Sequence, residues 1–252
     1  MSNILEYFHI PKLGKTKQRI PIKEIIEQLE PSVKDKRILN TEISSIYLEG
    51  VLDAETLRIP SYVSDEHLYE AIYILQVVLK TDQHFLLVNE KLQFIFPNPI
   101  VIVYLIEDKV RLSLAPKRIN KLTKDKSVIE SIYFTCAFYI DENHKEFLEL
   151  INLGKVKGAN LKEFYENLMD IIYSENLIEF IGVFPRRIPK TLDLKQRIKE
   201  IEDIKASLNE LKSNYKLITM MSQKMDNHMK IVNMEDQLKT LVSKLKEELL
   251  NE

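Results

Sequence analysis

Glu49, Asp53, Glu55, Glu90 and Lys91 are the residue types that a metal-dependent nuclease uses, with two acids to hold a divalent cation and a base to activate water. That chemistry needs an acid followed by an acid-x-Lys pair on one strand. The order is not visible here, so these groups read as solvated turns and edges. Cys136 is the single cysteine and cannot form an internal disulfide. Within Ile132-Tyr133-Phe134-Thr135-Cys136-Ala137-Phe138 it reads as small buried core filler, because no His and acid partners stand out to activate it as a nucleophile. Gly14-Lys15-Thr16 imitates the end of a phosphate loop but lacks the earlier glycine and a preceding strand. The histidines, His9, His67, His84, His144 and His228, show no i,i+4 pair with an acid between, and one cysteine cannot complete a structural zinc site. No catalytic residue, metal or cofactor is expected from these patterns.

Two basic clusters could meet phosphates by charge: Lys12, Lys15, Lys17, Arg19 and Lys23 near the start, and Lys117, Arg118, Lys121, Lys124 and Lys126 further on. The plain reading of both is solvated surface. A formal charge of -2 excludes a uniformly basic or uniformly acidic binder and opposes long-range capture. Any DNA contact is therefore expected to be weak, unspecific and lost with salt. Met1-Ser2-Asn3-Ile4-Leu5-Glu6 has neither a basic head nor a long apolar segment, and the longest apolar run, Ile100 to Ile106, is far short of the roughly 20 residues that span a bilayer. The expectation is a cytoplasmic protein with no membrane contact.

The elements that must position these groups are readable in outline. Residues 10 to 21, with Pro11, Gly14 and Pro21 among lysines, read as an extended basic arm with turns. Ile22, Ile25, Ile26 and Leu29 recur at helical spacing between Pro21 and Pro31, which predicts a short helix. Ile43 to Ile59 reads as strand pieces, Ile46-Tyr47-Leu48 before a Glu49-Gly50 turn and Thr56 to Ile59 after it. Ala71 to Leu79 is β-branched enough to favour strand over a buried helix. Ile100 to Ile106, a Glu107-Asp108-Lys109 turn and Val110 to Leu114 predict a hairpin, and Ser131 to Ile140 a third strand. Runs that are apolar on both faces predict helices or a partner covering both sides of the sheet. Asn160 with Glu163 three positions on starts a helix with Leu161, Phe164, Tyr165, Leu168 and Ile172 as its apolar stripe. Ile178 to Phe184 could return to the sheet. Pro185 and Pro189 flanking Arg186-Arg187 make a stiff basic connector.

Beyond Pro189 there is neither proline nor glycine. Leu194, Ile198, Ile201, Ile204, Leu208, Leu211, Tyr215, Ile218 and Met225 fall near alternating three and four spacing, a coiled-coil pattern. The phase slips near Asp226-Asn227-His228 and resumes at Met234, Leu238, Leu241, Leu245 and Leu249, which fits one helix with a stutter or two helices folded as a hairpin. Met220, Met221, Met225, Met229 and Met234 crowd the slip, where methionine fills irregular gaps or offers an adaptable surface. The predicted fold is α+β: a mixed-sheet body with flanking helices over 1–185, a connector over 186–192 and a long coiled-coil helical arm over 193–252. The arm is expected to pair with itself or with a partner protein through Leu194, Ile198, Ile201, Leu208, Leu211, Tyr215, Ile218, Met225, Leu238, Leu241 and Leu245.

Several stretches together resemble the bacterial family known as domain of unknown function 4391. They are Phe8-His9-Ile10-Pro11 with Arg19-Ile20-Pro21-Ile22-Lys23, Leu52 to Ile59, Leu161 to Leu168, and Met225 to Asn233 leading into Leu238 to Leu249. The resemblance implies a bacterial or archaeal protein encoded beside helicases and DNA methyltransferases in phage-defence or restriction-like clusters, and it carries no catalytic residues. On that footing the expected function is a non-catalytic scaffold subunit of a DNA-directed defence system. Its arm would assemble and its body would dock a helicase, methyltransferase or nuclease subunit. The alternative is a divergent metal-dependent nuclease.

Overall fold

The computed structural model describes residues 3–29, 31–120 and 127–250. In chain order the elements are α1 (Ile4–Phe8), β1 (Lys15–Ile20), α2 (Ile22–Leu29), α3 (Val33–Glu42), β2 (Ile43–Asp53), α4 (Ala54–Leu57), β3 (Tyr62–Val63), β4 (Leu68–Tyr69), β5 (Ala71–Leu79), α5 (Phe85–Ile95), β6 (Ile100–Ile106), β7 (Lys109–Leu114), β8 (Lys117–Ile119), β9 (Ser127–Ile129) and β10 (Tyr133–Phe134). A 3-10 turn (Glu142–His144) leads into α6 (Lys145–Leu150), α7 (Leu161–Ser174), α8 (Leu177–Ile181), α9 (Thr191–Tyr215) and α10 (Met221–Leu250). The chain divides into two compact units, Met1–Glu175 and Asn176–Glu252.

The first unit is an α+β body around a six-stranded sheet of order β1-β2-β5-β6-β7-β10. All neighbours are antiparallel except β5 and β6, which run parallel and are joined through α5. The central strands are apolar on both faces because both faces are covered. On one face Ile25 and Ile26 of α2, Leu39 of α3, and Phe85, Val88 and Leu92 of α5 pack with Ile46, Leu75, Val77, Ile102 and Tyr104. At the other, the buried Tyr165 of α7 donates from its hydroxyl to the Ile100 carbonyl (2.8 Å) and accepts from the Ala115 amide (2.9 Å). Helix α5 is bolted to the sheet by two buried polar pairs: Tyr104 donates to Asn89 Oδ1 (3.0 Å) and Gln93 Nε2 donates to Ser113 Oγ (3.1 Å).

The β6–β7 hairpin forms as predicted, although its turn is only Glu107-Asp108, with Glu107 in the left-handed region (φ 54) and Ile106 already paired with Lys109. The extended arm with turns is present, and Lys15–Ile20 within it is an edge strand paired with β2. Four expectations are corrected in the rest of this unit. Glu49-Gly50 is not a turn, because β2 runs through it with a register shift between Leu48 and Gly50. Gly50 marks a close approach instead, since a Cβ there would stand 3.1 Å from Ile10 Cγ2. Thr56 to Ile59 is not a strand: Asp53 caps α4, accepting from the amides of Glu55 (3.1 Å) and Thr56 (2.9 Å), which turns the chain helical. Cys136 is exposed, whereas its neighbour Thr135 is buried and its hydroxyl accepts from the Leu112 amide (3.0 Å). The third strand is accordingly short, Tyr133–Phe134 plus a bridge between Val110 and Phe138. Helix α7 is capped as expected by Asn160, which accepts from the Glu163 amide (3.0 Å), but Glu163 answers the amide of Ala159 rather than that of the cap (3.0 Å).

The second unit is helical. Ile178 to Phe184 does not return to a sheet: α8 is a helix closed by Gly182 at φ 83, whose amide donates to Ile178 O (2.9 Å). Helices α9 and α10 form an antiparallel hairpin, held across the seam by Lys212–Glu235 (2.7 Å) and by an Arg197–Glu248 ion pair. The break falls at Lys216–Met220, not near Asp226, where two adjacent β-branched residues, Ile218-Thr219, weaken the helix. The Pro185–Pro189 segment belongs to this unit. The amides of Arg186 and Arg187 donate to the Leu249 carbonyl (3.1 and 3.2 Å), satisfying an otherwise orphaned group at the end of α10.

Candidate functional site

The residues read as an interface with another chain are placed between the two helices of one hairpin. Leu194, Ile198, Ile201, Leu208 and Leu245 are buried, while Leu211, Tyr215, Ile218, Leu238 and Leu241 are half-buried along the same seam. On α10 the inward positions are Lys224, Asn227, Ile231, Met234, Leu238, Leu241, Leu245 and Leu249, a three-four repeat that holds as far as Leu245 and passes straight through Asn227. Met225 is off this seam and 69 % exposed. With Met221, Met229 and Val232 it forms a second stripe roughly 140° round the helix from the seam. Leu217 and Met220 at the turn are exposed as well.

The two basic clusters fare differently. Lys15, Lys17 and Arg19 are all exposed on edge strand β1, and Lys12 is exposed just before it. Lys117 is buried at 3 % exposure. Its ammonium donates to the carbonyls of Phe96 (2.5 Å) and Asn98 (2.9 Å), which closes the end of α5, and burial pushes its pKa down to about 7. Arg118 pairs with Glu130. Lys121, Lys124 and Lys126 lie outside the described residues.

The acids do not assemble into a centre. Glu49 is buried at the irregular step of β2, where burial raises its carboxyl and the nearby Lys17 and Lys15 pull it back. Asp53 is engaged by its cap, and the Thr56 bonds hold it below the usual carboxylate range. Glu55 and Glu90 are exposed on α4 and α5, and Lys91 faces Asp35 at 3.5 Å. Among the described residues no group of three or more His, Cys, Asp or Glu is placed to hold a metal ion.

Two polar clusters escaped the sequence reading. Glu42, nearly buried, accepts from Thr81 Oγ1 (2.6 Å) and faces His84 Nδ1 (2.8 Å), with the Thr81 bond foremost in holding its carboxyl down. His144 is clamped between Asp141 (Nδ1, 2.7 Å) and Glu175 (Nε2, 3.3 Å) and stacks on Phe138 at 4.7 Å. Asp141-x-x-His144 is a readable local pairing. Glu175 arrives from the end of α7, a distance no local pattern discloses. Burial of the ring lowers the imidazole pKa, but the bonds to Glu175 and Asp141 outweigh it and the net direction is up from 6.5. A raised folded pKa gives stability that is full below 6.5 and lost as pH climbs through the folded value. In urea unfolding at pH 6 and pH 8.5, wild type is expected to lose more stability across that interval than His144→Gln. Parallel losses in the two proteins would remove His144 from the account.

A cavity of about 420 Å³ in the body is lined by His9 and Pro11, by Thr56, Leu57 and Ile59, and by Phe164. Its walls are tied by two backbone bonds, Leu153 N–H to Phe8 O and Leu161 N–H to Pro60 O, both 3.0 Å. These side chains come from three of the stretches that carry the family resemblance.

The six-stranded sheet with its helices and the pair of long C-terminal helices define an α+β protein of two units. Residues 8–238 match the family described as domain of unknown function (DUF4391), and the chain belongs to it. No curated protein is similar to it at a significant level. The same holds for solved structures. Among the described residues no helix is long and apolar enough to cross a membrane.

Proposed function

We propose that this protein is a non-catalytic accessory subunit of a DNA-directed defence or restriction-like assembly, docking a helicase, methyltransferase or nuclease subunit through the outer face of its helical hairpin. One observation carries the reading. The apolar seam of α9 and α10 is satisfied within the chain, yet Met221, Met225, Met229 and Val232 leave a further stripe in water at i, i+4, i+8 and i+11. Such a stripe fits a hydrophobic groove or an amphipathic helix on a partner, and methionine side chains adapt to either. The DNA-directed setting comes from the family resemblance. The nuclease alternative gains nothing from the scattered acids.

The test is affinity capture from the native host with mass spectrometry, using wild type and Met225→Glu/Met229→Glu. Wild type is expected to retain a DNA-processing protein that the variant loses, at unchanged helical content by circular dichroism. Retention of the same protein by the variant, or capture of none with DNA-processing motifs, would overturn the reading.

A further inference from the structure

Strand β1 is an edge of the sheet and exposes Lys15, Lys17 and Arg19 over about 13 Å, with Gln18 exposed among them and a register shift between Lys15 and Gln18. Among the described residues no carboxylate lies within ion-pair distance of any of them. Buried Glu49 is the acid that Lys17 and Lys15 feel, and it leaves the row with a net positive charge. Across the sheet the register sets Arg19 opposite Tyr47 and Tyr47 opposite Gln76. Directly opposed residues share a face, so a guanidinium, an aromatic ring and an amide form one row across three strands, each about 5 Å from the next. Tyr47 is half-buried there, with part of its ring open to solvent, whereas Val103, the residue paired with Gln76 on β6, is fully buried.

We propose that this strip of β1 and β2 binds single-stranded nucleic acid, with Lys15, Lys17 and Arg19 on successive phosphates and one base stacked on Tyr47 beside the Arg19 guanidinium. Cations on an edge strand also deter pairing with a second sheet, a task that needs charge alone. It does not need a partly open ring next to an arginine, which is what base stacking uses. A duplex hides its base faces, and an acidic peptide has none, so the ring selects the single strand. The surface uses none of the hairpin residues, and it stands or falls apart from the docking reading.

Fluorescence anisotropy with a labelled mixed-sequence 15-mer of single-stranded DNA, at 50 and 200 mM salt, tests it with the full chain. The plot of log affinity against log salt is expected to have a slope of about -2, from roughly 0.7 per phosphate contact over three cations. Tyr47→Ala should weaken binding about tenfold, as loss of one stacked base does, and Tyr47→Phe should bind like wild type. Lys15→Gln/Lys17→Gln/Arg19→Gln should flatten the salt dependence. Met225→Glu/Met229→Glu should bind like wild type. Thermal melts of every variant establish that it is folded. Unchanged affinity in Tyr47→Ala, equal affinity for the corresponding duplex, or equal displacement by poly-glutamate would each overturn the proposal. So would loss of binding in the hairpin variant, which would put the contact elsewhere.

Discussion

Changing Leu208 to Asp is expected to open the α9–α10 hairpin while the sheet body stays folded. Leu208 is 6 % exposed on the seam. An ionised carboxylate there would be buried without a partner, or would have to draw a proton to become neutral, and either outcome costs several kcal/mol, about 4 in round terms. The two helices hold 25 and 30 residues, so the loss should appear as a large fall in the far-ultraviolet helical signal. The near-ultraviolet tyrosine signal reports on the body, where Tyr69, Tyr104 and Tyr165 are fully buried, and should persist. Met225→Asp, on the exposed stripe, is the control and should stay within about 0.5 kcal/mol of wild type. Equal behaviour of the two variants would mean that the seam has been assigned to the wrong face.

Leu75→Ala should be the most damaging single truncation in the body. The side chain is fully buried on β5 among Val77, Ile102, Tyr104 and the α5 residues Val88 and Leu92. Its removal deletes transfer energy and leaves a cavity that neighbours on a sheet and a bolted helix cannot refill, at a cost of about 3 kcal/mol. With a urea dependence of about 2 kcal/mol per molar, the midpoint of the body's transition should fall by about 1.5 M. Phe94→Ala, on the same α5 layer but 47 % exposed, should barely move it. A small shift for Leu75→Ala would indicate that the sheet face is not packed as described.

What was legible in the sequence is what local chemistry decides. The β6–β7 hairpin, β5, α2 and the Asn160-capped α7 could be read because their periodicity, prolines and caps lie within a few residues of one another. Helix α5 was missed because it is apolar almost all round, Phe85-Leu86-Leu87-Val88, and so shows no amphipathic stripe. Helix α3 was missed for the opposite reason, being polar along most of its length. The Glu49-Gly50 step misled because a glycine that admits Ile10 has the same one-letter signature as a glycine that turns the chain. On α10 the seam is read correctly from Met234 to Leu249, but before that it is taken through Met225 and a phase slip near Asp226. The structure carries it through Lys224 and Asn227 instead, two polar residues that a search for apolar periodicity steps over. Neither the Arg19–Tyr47–Gln76 row nor the His144 clamp could be read, since register and the approach of Glu175 are tertiary facts.

The placement of the hairpin's partners along the chain has a consequence during synthesis. Ile201 is made 44 residues before Leu245, which lines one cavity with it across the seam. At a ribosomal rate of about 5–20 residues per second, the apolar face of α9 waits roughly 2–9 s before its cover exists. Throughout that interval Leu194, Ile198, Ile201 and Leu208 present a helical stripe that a chaperone, or a neighbouring nascent copy on the same message, can engage first. A hairpin that is self-sufficient once made therefore passes through a stage in which it is open to exchange between chains. The same four residues that make it a private contact at equilibrium are the ones through which two chains translated side by side would entangle.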